Sequence, residues 1–153
     1  MDRHKKHFDY RRDWDWKPAG LAQGHVTIPA DAKVKLTLRA DGARDMSWVK
    51  KLQPDDFYEV FIYPHPANAN SYPFGDAHAK HLGHFSGLRN LALGYVQVTD
   101  QGMQHLESMT SLEFLSIYSP EMGNGGLKSI GKLTSLERLE LSKMKWTDIG
   151  VLN

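Results

Sequence analysis

The chain lacks cysteine, so disulfide bonds, thiolate metal ligands and a cysteine nucleophile are excluded within its 153 residues. It also lacks any apolar run long enough to span a bilayer, and its first residues have no apolar core of a secretory signal. An excess of one charge is missing too: 19 Lys and Arg stand against 18 Asp and Glu, a balance that argues against nucleic-acid binding. We therefore expect a cytoplasmic protein with neither a membrane nor a nucleic acid as partner.

Apolar residues recur at fixed positions with a period of 24 residues. In each repeat, the first group has the spacing of a short strand with one buried face, and a second group lies at three-residue intervals, as on one stripe of a helix. This self-similarity predicts stacked strand-and-helix units. The two best-matching sets are Leu88, Leu91, Leu93, Met103, Leu106 and Met109, followed by Leu112, Leu115, Ile117, Leu127, Ile130 and Leu133.

A polar residue stands at one fixed place in each repeat, just before the helical group. A carboxylate or amide there can accept hydrogen bonds from the free N–H groups of the first helical turn, and a carboxylate also lies favourably at the positive end of the helix dipole. We therefore expect each of these residues to cap its own helix, which leaves them no catalytic role. They are Asp45, Asp76, Asp100, Asn124 and Asp148.

The segment LRNLALGYVQVTDQGMQHLESMTS resembles the 24-residue leucine-rich repeat of bacterial proteins, whose consensus is LxxLxLxxxxVTDxGLxxLxxLxx. The resemblance extends over residues 33–153. It implies an α/β fold, an arc-shaped solenoid with a parallel sheet on the concave face and short helices on the convex face. It implies no single biochemical function, so function has to be inferred from the surface.

This chain departs from the family at the turn after each strand. The asparagine common there is replaced by Asp41, His65, Val96, Pro120 and Met144, so no asparagine ladder can run along the turns. An apolar residue shortly before the expected cap takes its place, and we expect packing to hold this turn. These residues are Phe74, Val98, Met122 and Trp146.

The repeats divide the chain into an N-terminal cap or arm, residues 1–24, and a leucine-rich-repeat domain, residues 25–153. Val26–Ile28 predicts a short strand that pairs with the first repeat strand. We expect about five units: 33–56, 57–87 with an inserted loop at 64–75, 88–111, 112–135 and 136–153.

The last unit is incomplete. It leaves apolar positions near an open sheet edge, namely Leu139, Leu141, Trp146 and Val151. An uncovered edge favours pairing with another chain. Three explanations are open: a homodimer through this edge, a structural segment of a larger solenoid, or a short final helix.

Large aromatic residues occupy the strand positions that point away from the core in the second to fourth units: Phe61, Tyr63, Tyr95, Phe114 and Tyr118. Charged residues lie on both sides of them, namely Arg39, Glu59, Arg138 and Glu140. Aromatic anchors with a charged rim are typical of interaction hot spots, so this composition predicts a face that binds a protein partner. The inserted loop at 64–75 lies beside that face and favours the same interpretation. The alternative is that aromatics simply suit sheets and that the N-terminal arm covers them.

Three histidines follow one another at three-residue spacing, and a fourth comes one repeat later: His78, His81, His84 and His105. Two neighbouring imidazoles on a helix could share a Zn²⁺ or Ni²⁺ ion, which would make the chain a metal-binding regulator or enzyme. The alternative is a solvated, titratable helix flank. Because their spacing is not the usual i, i+4 pair, we expect no metal or cofactor.

Catalytic motifs are missing from the chain. The SxxK match at Ser47–Lys50 lacks the motifs that accompany it in enzymes, and no GxSxG, phosphate loop or dinucleotide fingerprint occurs. No nucleophile has an orienting partner in the sequence, so we expect no enzymatic activity and no catalytic residue.

Overall fold

The computed structural model describes residues 7–11, 17–21, 29, 31–39, 45–63 and 74–145, with the backbone alone for 7–11, 17–21 and 39. The described residues form seven strands, which pair in one sheet in the order β2-β1-β3-β4-β5-β6-β7. The strands are β1 His7–Arg11, β2 Lys17–Leu21, β3 Lys33–Arg39, β4 Glu59–Tyr63, β5 Asn90–Leu93, β6 Phe114–Tyr118 and β7 Arg138–Ser142.

Helices alternate with the parallel strands. A 3₁₀ helix, Ser47–Lys51, follows β3, and three short α-helices follow the next strands: α1 Asp76–Leu82, α2 Asp100–Gln104 and α3 Asn124–Ile130. Each connects two strands that pair in parallel, because a parallel neighbour can be reached only by a crossover. The predicted α/β class with a parallel sheet is confirmed for β3 to β7. None of the described helices has the length and apolar character needed to span a bilayer.

The pairing register reproduces the sequence period. Asn90 pairs with Phe114, and Phe114 pairs with Arg138, so equivalent residues of successive units lie side by side. Lys35 and Glu59 pair with the same offset, whereas the step from Glu59 to Asn90 contains the insertion. A one-residue slip would turn every apolar strand residue to the opposite face, so the apolar pattern fixes this register.

The core lies between the sheet and the helices. Along β3, β4, β5 and β6 the repeated apolar residues are buried and the residues between them are more exposed, as the alternation of side chains requires. The buried strand residues include Leu36, Leu38, Val60, Ile62, Leu91, Leu93, Leu115 and Ile117, and the helical segments contribute Ala79, Leu82, Met103, Leu106 and Ile130. The turns before α1, α2 and α3 are packed as predicted, with Phe74, Val98 and Met122 at most 1% exposed.

The N-terminal edge of the sheet, formed by β1 and β2, differs from the arrangement that the sequence predicts. β1 pairs with β3 in antiparallel fashion and with β2 on its other side. The strand predicted at Val26–Ile28 lies outside the described residues, and the edge of β3 that we expected it to use is taken by β1. The cap thus joins the sheet through residues 7–11, which the sequence pattern did not indicate.

At the opposite edge of the sheet, the repeated apolar residue Leu139 of β7 is not covered. Leu139 is 40% exposed, whereas its counterpart Leu115 in β6 is fully buried. This confirms the prediction for Leu139, while Trp146 and Val151 lie outside the described residues. The homodimer through this edge stays a prediction.

The repeated acids cap helices, but two of them do not cap their own. Asp45 acts as predicted, since its carboxylate accepts a hydrogen bond from the Ser47 N–H in the first turn of the 3₁₀ helix at 2.8 Å. For Asp76 and Asp100 the prediction was wrong: each is the first residue of its helix, and its carboxylate contacts the next repeat. Asp148 lies outside the described residues.

The first of these contacts joins Asp76 to Thr99, the residue that caps α2. The Thr99 N–H donates to Asp76 Oδ1 at 2.8 Å, and the Thr99 hydroxyl donates to Oδ2 at 2.7 Å. Thr99 Oγ1 in turn accepts from the Gln101 N–H. A methyl group at Gly102 would collide with Asp76 Oδ1. The glycine of the TDxG phrase is therefore needed for space at this contact.

The second contact joins Asp100 to the start of α3. Asp100 Oδ1 accepts from the N–H groups of Gly123 and Gly126 at 2.7 and 2.8 Å, and Oδ2 accepts from Gly125 at 3.2 Å. The residue before α3 is Gly123, which has no side chain to cap the helix. The carboxylate of the preceding repeat satisfies these free N–H groups instead.

Candidate functional site

The five aromatic residues predicted for binding lie on one face of the sheet, opposite the core, and are called the aromatic sheet face from here on. The face consists of Phe61, Tyr63, Tyr95, Phe114 and Tyr118. The pairing register places Phe61 beside Ala92 and Ala92 beside Ser116, so each row across the sheet contains one residue from each strand. Equivalent outward residues of successive repeats therefore lie side by side, as the sequence period predicts.

The aromatic rings form two groups. On β4 the rings of Phe61 and Tyr63 stack, with centroids 5.9 Å apart and planes at 21°. Across the sheet, Tyr95 packs against Tyr118 at a centroid distance of 4.4 Å. Contacts of this kind contribute about 0.5–1.5 kcal/mol beyond area burial, so they hold the rings in place.

Small residues separate the two groups. Ala92 of β5 and Gly94, which follows β5, lie between β4 and β6, and Ala92 is buried. The ring of Tyr63 extends over Gly94: a methyl group placed there would collide with Tyr63 Cδ1 and lie 2.6 Å from Cε1. Tyr63 thereby approaches the backbone that leads into Tyr95.

Tyr95 has a backbone conformation that is unusual for a bulky residue. Its φ is 56°, in the left-handed region where residues other than Gly, Asn and Asp are uncommon. Lys143, at the same position two repeats later, shares this φ. Residues held in this region cluster at binding sites because the surrounding structure must offset the strain.

Two of the tyrosines are open to solvent. Tyr63 is 43% exposed and Tyr95 is 51% exposed, and with Leu139 they are the large hydrophobic residues that stand exposed in the described part of the chain. Phe61, Phe114 and Tyr118 are half-buried. The alternative that the N-terminal arm covers this face stays open, because the side chains of residues 1–24 lie outside the described part of the chain.

The predicted rim charges do not form the simple rim that we expected. Arg138 lies over the Phe114 ring, with its Cζ 4.0 Å from the centroid, and its Nε is 3.7 Å from Glu140 Oε1. Glu59 is only 9% exposed, so its role as an exposed rim charge is wrong. Its strand position beside Lys35 and Asn90 places it inside the row. The backbone of Arg39 pairs with Tyr63, and its side chain lies outside the described part.

A further cation on this face was not predicted as a site residue. Lys35 Nζ lies 5.0 Å from the centroid of Phe61. Lys35 aligns across the sheet with Glu59, Asn90, Phe114 and Arg138, a position that the 24-residue period indicates. Its contact with the Phe61 ring is visible only in the structure. The role of Gly94 was missed for a similar reason: its row position was visible in the sequence, whereas the ring above it was not.

Tyr63 is the residue of this face with a resolved electrostatic perturbation. Its pKa is raised above 10.0, first by burial and then by the negative charges of Glu140 and Glu59. Both effects disfavour the phenolate. Glu140 and Glu59 therefore act on the Tyr63 hydroxyl in the same direction as burial.

The inserted loop predicted at 64–75 lies outside the described residues from 64 to 73. Its final residues are held against the third repeat, because the Gln97 N–H donates to the Phe74 carbonyl at 2.7 Å and Gly75 bridges to Gln97. Phe74 is buried. The loop thus returns to the core through a fixed anchor.

The histidine series is divided among structural contacts. His78 is buried, and its Nδ1 accepts a hydrogen bond from the Gly75 N–H at the start of α1. His84 Nε2 lies 2.8 Å from the Leu52 carbonyl, to which it donates. His81 is partly exposed and His105 is exposed. Within residues 45–63 and 74–145, no group of three or more His, Asp or Glu side chains could hold a metal ion.

Comparisons with known proteins add no assignment to this geometry. No protein-family model matches the chain, and no curated protein matches it either.

Proposed function

We propose that this chain is a short leucine-rich-repeat solenoid that acts as a non-enzymatic protein-interaction module. The partner would bind across the aromatic sheet face, with Tyr63, Tyr95 and Tyr118 as anchors. Support for the repeat family comes from the LxxLxL spacing and from the strand register that follows it. The arc shape is part of the proposal.

The observation that carries the proposal is the exposure of Tyr63 and Tyr95 on the sheet face opposite the core. Aromatic rings bury a large area at a small cost in rotamer entropy, and they are therefore enriched in binding hot spots. An exposed tyrosine pair beside half-buried Phe114 and Tyr118 offers such anchors in a fixed arrangement.

The scaffold behind this face is rigid enough to present it. The strands β3 to β7 are hydrogen-bonded to their neighbours in a continuous register, and the carboxylates of Asp76 and Asp100 tie the helices of successive repeats together. A preorganised surface binds with a smaller loss of conformational entropy than a flexible one.

Affinity capture followed by a binding measurement with the purified partner tests the proposal. The double substitution Tyr63→Ala/Tyr118→Ala should weaken binding about 30-fold or more, because each lost anchor costs about 1–2 kcal/mol. The matched control is Gln104→Ala/Lys128→Ala, which removes two exposed side chains from α2 and α3.

Thermal unfolding distinguishes a lost anchor from a lost fold. We expect the tyrosine double variant to unfold near the wild-type temperature, since Tyr63 is exposed and Tyr118 is half-buried. Equal binding by both variants would contradict the proposal, and so would a collapse of the fold in the tyrosine variant.

A further inference from the structure

The phenylalanine rings of the aromatic sheet face are each covered by a cation of the chain itself. Lys35 Nζ lies 5.0 Å from the Phe61 centroid, and Arg138 Cζ lies 4.0 Å from the Phe114 centroid. A cation over an aromatic face is attracted by the ring quadrupole. This face therefore already contains two intramolecular cation–π contacts.

The tyrosine rings of the same face have no such cation among the described side chains. Tyr63, Tyr95 and Tyr118, the tyrosine cluster, converge around Gly94. Tyr63 extends over Gly94, Tyr95 follows it directly in the chain, and Tyr95 packs on Tyr118 at 4.4 Å. Tyr63 and Tyr95 are also exposed, so the cluster offers aromatic faces to a cation from outside.

Charge around the cluster favours a positive ligand. Glu140 has a side chain that is 57% exposed, and its contact with Arg138 is long at 3.7 Å. Glu140 and Glu59 also raise the pKa of Tyr63, after the larger effect of burial, so both carboxylates act at this hydroxyl. A basic side chain would gain from both the rings and the carboxylate.

The backbone of Tyr95 is consistent with this role. A tyrosine at φ 56° is held by its surroundings in a conformation that it rarely adopts, with its ring against Tyr118. Lys143 has the same φ two repeats later, so this turn of the repeat holds the Tyr95 backbone in a fixed conformation.

We propose that the tyrosine cluster binds a basic side chain, Lys or Arg, of the protein partner, with Glu140 as the complementary charge. This inference rests on the proposed function and adds the chemistry that the partner must present. The partner segment would place one cation against the exposed rings of the cluster, on the side of Glu140.

Peptide titration followed by NMR of the tyrosine rings tests this inference on the full chain. The probes are the blocked peptide Gly-Arg-Gly and its analogue with citrulline, which keeps the shape of arginine but has no charge. We expect the arginine peptide to bind about five-fold more tightly, the ratio given by about 1 kcal/mol of cation–π attraction. The ring of Tyr58 is the internal control, because Lys33 Nζ already lies 3.9 Å from its centroid.

Three variants sharpen the experiment. Glu140→Gln should weaken arginine binding and leave citrulline binding unchanged. Tyr118→Leu should remove the preference for arginine, and Tyr95→Phe should retain it, because phenylalanine keeps the aromatic face. If Tyr118→Leu perturbs folding, the Glu140 and Tyr95 variants still test the proposal.

Equal binding of the two peptides, or shifts at Tyr58 as large as those at Tyr63, would overturn the inference. Phosphocholine, tried in parallel, represents a non-protein cation, and tighter binding of phosphocholine than of the arginine peptide would also overturn it. If a partner is captured through the aromatic sheet face but the arginine peptide is not preferred, only the inference of a basic ligand is contradicted. A preference for arginine with no loss of partner in the tyrosine double variant contradicts only the proposed function.

Discussion

Two regions of the molecule are built from the same repeat but use it in opposite ways. One is the edge where the helices begin, called the helix edge, and the other is the aromatic sheet face. At the helix edge the repeated residue stays nearly constant, and Asp76 and Asp100 make equivalent contacts to the following repeat. On the sheet face the residue changes at every repeat: one row reads Thr37, Phe61, Ala92, Ser116 and Glu140.

The difference separates the positions that hold successive repeats together from the positions that only face the surface. A residue that bonds to the next repeat has to recur, because every helix start leaves free N–H groups that need an acceptor. A residue that points away from the core has no such requirement. Variation at a repeated, outward position is therefore the signal for function, and constancy is the signal for assembly.

The largest effect is expected at the helix edge. Asp100→Ala removes the acceptor of three backbone N–H groups at the start of α3, and we expect a loss of about 3 kcal/mol in the free energy of unfolding. Asp100→Asn should cost less, because its remaining oxygen can still accept from Gly123 and Gly126. Urea denaturation measures the stability, and hydrogen exchange at the three glycine amides locates the change.

The control for this substitution is Glu137→Ala, which truncates an exposed acid just before β7 and should change stability by less than about 0.5 kcal/mol. A loss at Asp100 no larger than the loss at Glu137 would show that the contact between repeats contributes nothing. The comparison between the two regions would then fail on its structural side.

A smaller effect is expected where the sheet face depends on a small residue. Gly94→Ala inserts a methyl group into the space of the Tyr63 ring, and we expect a loss of about 1 kcal/mol together with displacement of that ring. In a Tyr63→Ala background the same substitution should cost less, because the ring is gone. Unfolding of the four proteins gives the coupling energy, and the contact between Gly94 Hα and the Tyr63 ring is followed by NMR.

Gly131→Ala is the matched control, since a methyl group there meets only the Lys128 carbonyl oxygen at 3.4 Å and the Leu127 carbonyl oxygen at 3.7 Å. We expect a change near zero. If Gly94→Ala costs the same with and without the Tyr63 ring, the ring does not occupy the space above Gly94.

The smallest effect is electrostatic. Glu140→Gln should lower the pKa of Tyr63 but leave it above 10.0, because burial, the larger cause, persists. The sign for stability follows: with the folded pKa raised, the contribution of Tyr63 is complete below pH 10.0 and is lost as the pH rises through the folded pKa. NMR titration of the Tyr63 ring measures the change.

Glu121→Gln serves as control, because Glu121 pairs with Lys145 and is not among the charges that raise the pKa of Tyr63. An unchanged pKa in the Glu140 variant would mean that this carboxylate does not act on the phenol. The charge argument for a basic ligand would then lose its support.

Much of this arrangement could be predicted from the sequence. The 24-residue period placed Leu91, Leu115 and their equivalents in the core, and it predicted which aromatic residues point away from the core. This works because the period of side-chain direction in a strand is two and the register is fixed by burial. The packed turns at Val98 and Met122 were predicted for the same reason.

The errors came from contacts between repeats. Asp100 was expected to cap its own helix, since an acid at a helix start ordinarily does so, but its carboxylate reaches Gly123 in the next unit. Glu59 was expected at an exposed rim and is buried. No local pattern reports which neighbour lies within hydrogen-bond distance, or how deep a charged residue lies within its row.

The sequence by itself determined the repeat, the α/β class, the apolar face of each strand and the identity of the aromatic residues opposite the core. Local spacing suffices for these properties, because side-chain direction follows directly from backbone geometry. Only the tertiary structure decided which helix each aspartate caps, that Tyr63 extends over Gly94, and that Lys35 and Arg138 cover the phenylalanines but not the tyrosines. These are distances between residues of different repeats, and they exist only once the repeats are stacked.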